Sequence, residues 1–560
     1  MKHLNLIFLF LLLVTSSIAQ TPGFEWVHTH GGAGSDQAKA ICTDHQNNVY
    51  TTGQFNGIVD FDPGPGVTNL DGGSNKIFIQ KLNPAGNLVW AKTFPGTVTS
   101  LAIDPLDNII LGGNFSGTIY FTTPNGVDSI SSPSNTDAFI VKMDPSGNYL
   151  WARSFGNPIE EESLNGLHTD DQGTIYSTGY FVGSCDFDPG QGTATLNSVG
   201  GTMDGFIHKL SPAGDYVWAK KIGGGGFDQG VSIAVNGNAV IITGWFQQMV
   251  DLDPGAGVTS VNSEGSSDIF LVSLSTNGDF NWAHGFGSIY TDQGFGVLAD
   301  NTGDIYLTGM FGNEIDLDPG PATTIFPTVA TNFFILKLTA AGNFSWARTF
   351  EGDNYKVARS IALHPNHGVV IAGEFAGTVD FDCGPGVNYL TCVEDPDVFI
   401  VYLDQNGNYI WAGAFGNTIS LANDLATDVT VDNLGNIYTV GKFQNTVDFD
   451  CGSGVTQRTS AGFEDVYIHK LNSNLLSVNE NSLSNFKLYP NPSNKDLFIS
   501  TKVTENCHLA IYNSLGIIVM EKELSGTENQ LDIQTLSAGS YVVELTNESG
   551  SQYQTFIKTN

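Results

Sequence analysis

Positive charge is scarce in this sequence. Only 22 of 560 residues are Lys or Arg against 57 Asp or Glu, which leaves a net charge of −35. A chain this acidic repels phosphate backbones and anionic lipid, so nucleic acid is not an expected partner. Cysteine is also sparse, six residues with no C-x-x-C, which argues against a structural zinc site or a dithiol redox centre. Beyond the first twenty residues no apolar run approaches the length of a membrane-spanning helix. No helical period is visible, and neither a G-x-S-x-G elbow nor a phosphate-binding loop occurs. The pairs His28 with His30 and His364 with His367 lack the helical spacing of a metalloprotease.

What is present begins with an export signal. Lys2 and His3 precede an unbroken apolar run, Leu4 to Val14, and Ser17-Ile18-Ala19 supplies small residues for a cut. The run is short for a membrane span, so residues 1–19 are expected to be a cleaved signal peptide. No Cys follows the cut, which argues against a lipid-modified N-terminus, and no transmembrane segment is expected after cleavage.

A tryptophan then recurs every 61 to 67 residues: Trp26, Trp90, Trp151, Trp218, Trp282, Trp346 and Trp411. Only Trp245 stands outside the series. Each period reads as four short strands: an alternating run, a Y-x-T-G-x-F strand after an Asp/Asn/Gly turn, a D-x-F-I-x-K-L strand, and the tryptophan strand after a Pro/Gly turn. Four antiparallel strands per repeat without helices predict a β-propeller. The array opens at 21–26 on a fourth strand and ends at 465–471 on a third strand lacking its partner. Joining the ends completes a seventh blade, three strands plus one, and removes two exposed edges. The expected organisation is all-β: a seven-bladed propeller over 21–471, a polar linker over 472–485, and a second β unit over 486–560.

The repeats, with D-x-x-G-N-x-Y-x-T-G and D-x-F-x-x-K-L-x-x-x-G, resemble secreted bacterial β-propeller repeats from Phe24 to Leu471. That resemblance implies a structural or binding module and no particular activity. The second unit opens with Leu488-Tyr489-Pro490-Asn491-Pro492 and continues through Ile511-Tyr512-Asn513 and Leu536 to Tyr541. It resembles the C-terminal sorting domain of the type IX secretion route of Gram-negative bacteria. The resemblance implies a small immunoglobulin-like sandwich, the type IX machinery as partner, transit through the periplasm, and release from or attachment to the outer cell surface.

Candidate chemistry centres on D-x-D-P-G and its variants. The pairs are Asp60 and Asp62, Asp186 and Asp188, Asp251 and Asp253, Asp316 and Asp318, Asp380 and Asp382, and Asp448 and Asp450. Alternation puts both carboxylates of a pair on one side. Two readings stand: a Ca²⁺ site built from hard oxygens, or an Asx-type turn whose carboxylates accept local amides. A second acidic element, G-G-x-x-x-D-Q, carries Asp36, Asp228 and Asp292 and is expected on the same face, as part of a solvated acidic rim. The x of T-G-x-F takes every chemical type (Gln54, Asn114, Tyr180, Trp245, Met310, Glu374, Lys442) inside a fixed frame. That pattern predicts a solvent-facing position, and Tyr180, Trp245, Met310 and Glu374 are the candidate ligand contacts, for a glycan or a protein. Cys383 and Cys451 occupy equivalent sites in neighbouring blades, ~13 Å apart against a disulfide reach of ~7 Å. Cys383 with Cys392 is therefore the candidate disulfide. Six near-identical carboxylate pairs argue for a structural repeat over a glycosidase centre. The sequence thus predicts an exported binding or scaffold module, with a polysaccharide-active or other hydrolytic enzyme as the rival.

Overall fold

The computed structural model describes residues 22–472 and 486–559, apart from 125, 158, 329, 353, 393–395, 418–422, 502–506, 514–517, 538 and 548–549. The signal-peptide segment 1–19 and the linker after Asn472 lie outside the described residues. The chain separates into two compact units, Met1–Ser473 and Asn474–Asn560. The described residues form strands and no helix, as the repeat predicts.

In the first unit seven antiparallel blades of four strands follow one another, six as separate sheets and the third continued by a ribbon of the fourth. Blade 1 is typical: Gln37–Thr43 innermost, then Val49–Phe55, Lys76–Leu82 and Leu88–Phe94. The inner strands of the other blades are Thr97–Ile103, Glu162–Thr169, Asp228–Asn236, Gln293–Ala299, Lys356–Leu363 and Leu425–Val431. Each touches the inner strand before and after it, and Leu425–Val431 touches Gln37–Thr43, so the ring closes. The seventh sheet is completed by the first strand of the chain: Gly23–His30 pairs with Asp465–Asn472, Trp26 opposite Lys470 and His30 opposite Val466.

The tryptophan period has a packing cause. The turn before each tryptophan strand needs a residue with positive φ, which Gly supplies: Gly86, Gly147, Gly214, Gly278, Gly342 and Gly407 all have φ between 73° and 83°. A methyl group on any of these would lie about 3 Å from the indole of the preceding blade, Trp26 through Trp346 in order. Several indoles also donate into the same turn, Trp90 Nε1 to Pro145 O at 3.3 Å and Trp346 Nε1 to Gln405 O at 3.1 Å. Tryptophan and turn glycine therefore form one joint between blades. The turns between first and second strands, at the same end of each blade, are closed by Asp44 and its equivalents: Asp44 Oδ1 accepts the amides of Gln46 and Asn48, and Tyr50 OH donates to Oδ2.

The second unit has a three-stranded sheet (Phe486–Tyr489, Asp496–Thr501, Glu528–Asp532) and a four-stranded one (Ile518–Leu524, Cys507–Tyr512, Gly539–Asn547, Gly550–Lys558). Leu497, Ile499, Leu509, Ile511, Val543 and Phe556 from both sheets share one core.

Candidate functional site

The D-x-D-P-G segments lie where expected, between the second and third strands, and each opens a ribbon within its own blade, such as Ile58–Asp60 with Asn69–Asp71. In blade 4 the ribbon Met249–Asp251 with Ser260–Asn262 also pairs with Gly223 and Gly224 of blade 3. In blade 6 the ribbon Thr378–Asp380 with Tyr389–Thr391 also pairs with Glu351–Gly352. Blade 2, which lacks the motif, instead runs its second and third strands on as one long hairpin, Ile109–Thr123 with Gly126–Met143. The residue between the two acids (Phe61, Phe187, Leu252, Leu317, Phe381 or Phe449) is fully buried and pins the turn to the core.

Both acids of each pair are engaged by local amides. Asp60 Oδ1 accepts the amides of Asp62 at 3.0 Å and Thr68 at 2.7 Å, and Asp62 Oδ1 accepts Gly64 N at 2.8 Å. The first acids Asp186, Asp251, Asp316, Asp380 and Asp448 repeat the bonds of Asp60. The second acids repeat the bond of Asp62: Asp188 accepts Gly190 N at 2.8 Å, Asp253 accepts Gly255 N at 2.7 Å, and Asp318 accepts Gly320 N at 2.8 Å. Asp382 accepts Gly384 N and Asp450 accepts Gly452 N, both at 2.8 Å.

Of the two readings of these positions, the local amide bonds support the Asx turn. Among the described residues no three His, Cys, Asp or Glu side chains are grouped so as to hold a metal ion. Each pair supplies two carboxylates, few for the six to eight oxygens Ca²⁺ takes. Asp60, Asp186, Asp251, Asp316, Asp380 and Asp448 are the closing acceptors of Asx turns. Asp62, Asp188, Asp253, Asp318, Asp382 and Asp450 hold the amide of the Gly two residues on. Thermal melts in EDTA and in CaCl₂ are expected to share one midpoint, and a rise on calcium would show a metal in the turns. Asp60→Ala is expected to destabilise the unit by about 1–3 kcal/mol, because two amides lose their acceptor.

The acidic rim is overturned. Asp36, Asp228 and Asp292 are each 0% exposed. They accept amides on both sides of the blade connection, Asp36 from Gly32 at 2.7 Å and Asn56 at 2.7 Å, Asp292 from Gly312 at 2.9 Å. Glu162 and Asp424 take the same place in blades 3 and 7. A second carboxylate, buried in the first three cases and half-buried in the last, lies on the third strand of the preceding blade: Asp204 beside Asp228, Asp268 beside Asp292, Asp465 beside Asp36 and Asp137 beside Glu162. Burial, with the neighbouring carboxylate adding to it, pushes Asp228 up to about 7 and Glu162 up to about 8. Burial pushes Asp204 up to about 6, and Asp268 and Asp465 to about 6 with their neighbours adding.

The variable position of T-G-x-F does lie in the second strand of every blade, always opposite the residue two before a register slip in the inner strand, as Gln54 is opposite Gln37. It is not uniformly solvent-facing. Gln54 is 8% and Glu374 3% exposed, while Tyr180, Trp245 and Met310 are half-buried. The side chains reach across the blade junction: Gln54 Nε2 donates to Thr97 Oγ1 at 3.4 Å, and Asn114 Nδ2 to Ser163 Oγ at 2.9 Å. Glu374 is committed within the fold, accepting from Arg359 Nε at 3.0 Å and Tyr355 OH at 3.1 Å, so it is withdrawn as a free ligand contact.

The sequence reading missed a ring further in. Between the inner and second strands every blade slips register by one residue at the same level, for example between Ala38 and Ala40. A bulge re-aims the extra residue. Here the seven extras (Lys39, Thr99, Asn165, Val231, Phe295, Arg359 and Thr427) all line one central cavity of about 240 Å³. The available signal was a variable residue set between two residues that are mostly small, as in Ala38-Lys39-Ala40 and Gly294-Phe295-Gly296. A larger groove of about 850 Å³ lies between blades 5 and 6, walled by Arg348, Glu351, Asp382, Tyr389 and Tyr409.

The disulfide is corrected as well: none of the six cysteines forms one. Cys383 sits past the Asp380 end of its ribbon, while the Cys392 amide bonds Gly377 O at the other end. Three residues of extended chain put at least about 10 Å between those ends, beyond the ~7 Å limit.

Fold and repeat define an all-β, propeller-type protein. Residues 487–559 match the secretion system C-terminal sorting domain, so the second unit is the sorting domain of the type IX route. A curated relative, an uncharacterized WD repeat-containing protein of Acanthamoeba polyphaga mimivirus, is 26% identical over 504 residues. The match takes in 75% of this chain, which spans only 36% of that relative's length. Among solved structures, PorZ, a surface component of the type IX secretion system of Porphyromonas gingivalis, matches at 10% identity and a TM-score of 0.15, over 95% of this chain and 100% of its own. A chimera of apocarotenoid oxygenase and RPE65 matches at 9% identity and a TM-score of 0.33, over 80% of this chain and 95% of its own. The sorting tail marks the chain for export to the cell surface or for secretion. Among the described residues no helix is long and apolar enough to cross a membrane.

Proposed function

We propose that this chain is an exported binding or scaffold module. Its signal peptide would take it to the periplasm and its sorting domain across the outer membrane. The propeller would then present a ligand face around the T-G-x-F ring. The observation that carries this reading is the combination of a repeated, tightly joined frame with one position per blade that varies in chemistry. Tyr180 and Trp245 stand on adjacent blades at that level and are half-buried, so they offer aromatic surface without loss of the frame. Such a pair suits the face of a sugar ring or a peptide side chain. On a glycan and peptide array the purified chain is expected to capture a ligand without turning it over. Trp245→Ala is expected to weaken capture at least tenfold with an unchanged melting midpoint. Hydrolysis of an arrayed glycan would favour the enzyme reading instead.

A further inference from the structure

The ring of bulge residues has its own charge logic. Thr99 Oγ1 donates to Leu164 O at 2.6 Å, Asn165 Nδ2 to Gly230 O at 2.8 Å, and Thr427 Oγ1 to Ala38 O at 3.0 Å. Val231 and Phe295 are apolar. Arg359 is neutralised by Glu374, with Nε at 3.0 and 3.1 Å from its two oxygens, and its guanidinium lies over Phe295 at 5.3 Å. Asp428, a carboxylate on the same cavity wall, is occupied by Ser360 Oγ at 2.6 Å and Ile41 N at 2.8 Å. Lys442, near Lys39, is paired with Glu464. Of the polar ring members Lys39 alone, among the described residues, has no hydrogen-bond or ion-pair partner. Lys39 is half-buried; burial, then the like charges of Lys442 and Arg359, hold it below the usual lysine value, against the opposing pull of Glu464, which is itself paired with Lys442.

We propose that the central cavity binds a small carboxylate-bearing ligand on the Lys39 ammonium. An unpaired, partly desolvated cation costs free energy that an anion would recover. Among the described residues Lys39 is the one cavity-lining cation without a carboxylate partner, and Asp428 adds a negative charge to the same wall, which favours a ligand with a single carboxylate. The volume of about 240 Å³ lies below the roughly 300–1,000 Å³ usual for drug-sized ligands, so the site suits one small molecule or a chain terminus rather than a polymer. The site is separate from the surface made by Tyr180 and Trp245 and does not depend on it.

The test is calorimetric titration of the purified full chain in low salt with sodium D-glucuronate, D-glucose, and triglycine with a free or an amidated C-terminus. Saturable one-to-one binding of a carboxylate is expected, with none of glucose or the amide. The tighter of the two carboxylates identifies the source, sugar acid or chain terminus. Lys39→Met is expected to weaken binding at least tenfold. Lys39→Arg should retain it, as should Lys495→Met on the exposed surface of the sorting domain, all with unchanged melting midpoints. Trp245→Ala should leave this titration unaltered, so the two binding readings can fail separately. Absence of binding by both carboxylates, or equal binding by Lys39→Met, overturns the proposal.

Discussion

Deleting residues 22–30 is expected to abolish the cooperative melt of the first unit or to lower its midpoint more than any single substitution. The strand Gly23–His30 is the outer strand of the seventh sheet, held by the register from Gly23 opposite Asn472 to His30 opposite Val466. Val27 is 2% exposed in the core of blades 6 and 7, Phe24 packs against the same core, and Trp26 packs against that of blades 7 and 1. Lys470 bonds both Glu25 at 3.0 Å and Pro84 O at 3.0 Å, tying the closing strand to blade 1. Burial of these apolar groups alone is worth on the order of 5 kcal/mol. That is a large part of the roughly 5–15 kcal/mol by which folded domains are stable. The loss would also expose the backbone edge of Asp465–Asn472, a template for association between copies. A circular permutant should separate closure from mere truncation. It places residues 22–30 directly after Asn472 through the five-residue turn 83–87 borrowed from blade 1. Because Gly23 already faces Asn472, this permutant is expected to recover the midpoint. A deletion variant that melts like the intact chain would show that the ring does not rely on this strand.

The same closure was legible in the sequence because strand identity is local. A tryptophan strand without a predecessor at one end and a third strand without a successor at the other can be read from alternation and turn residues alone. The D-x-D-P-G turns were legible for a similar reason, since an Asx turn is made by residues two apart. Whether such a turn also holds a cation depends on where the remaining lone pairs point, which spacing does not show. Asp36, Asp228 and Asp292 were misread because their partners are distant in sequence. Asp36 binds the amide of Asn56 across a strand, and its charged neighbour Asp465 is at the other end of the unit. Polar residues beside glycines look like a solvated loop until the fold turns the loop inward. The bulge ring failed to register for a different reason. A one-residue slip leaves the pattern of each strand intact on either side of it and shows only when the neighbouring strand is paired. Glu374 illustrates the limit of reasoning from variability. A position can vary freely because each blade junction supplies its own partner, here Arg359 and Tyr355, and not because it is empty.

Raising the pH from about 6.5 to 8 is expected to destabilise the first unit, the reverse of what acid-labile carboxylates produce. The paired acids at the blade junctions have folded-state values raised above the ordinary Asp and Glu range, Asp204, Asp268, Asp424 and Asp465 to about 6, Asp228 to about 7 and Glu162 to about 8. For such groups the folded state holds more protons than the unfolded chain. Their stabilising contribution is complete below the unfolded value near 4 and is lost as pH rises through 6 to 8. Asp44 and Asp104 act in the other direction. Burial alone would raise them, but bonds from Asn48 and Lys81 to the first, and from Lys142 and Asn108 to the second, hold both below the ordinary value. What they contribute is lost only as pH falls below about 4. Buried His28 and His30, at about 4, and His208 and His469, at about 3, are held down chiefly by burial, so what they contribute is lost as pH falls below about 6.5. The melting midpoint should therefore peak at about pH 6 to 7 and fall by several degrees at pH 8. Two isosteric changes at one junction test the cause. Asp204 accepts Val199 N with Oδ2, which also lies 3.5 Å from Lys221 Nζ, and leaves Oδ1 buried without a partner, so Asp204→Asn keeps the amide bond, weakens the pair with half-buried Lys221 and removes a charge beside Asp228. It should flatten the pH profile and raise stability at pH 8 by on the order of 1–3 kcal/mol. Asp228 accepts Gly224 N at 2.7 Å with one oxygen and Gln247 N at 3.3 Å with the other. Asp228→Asn turns one acceptor into a donor facing an amide and should destabilise at every pH, by about 1–3 kcal/mol. If both variants lower the midpoint equally at pH 5 and pH 8, the junction carboxylates do not set the pH response.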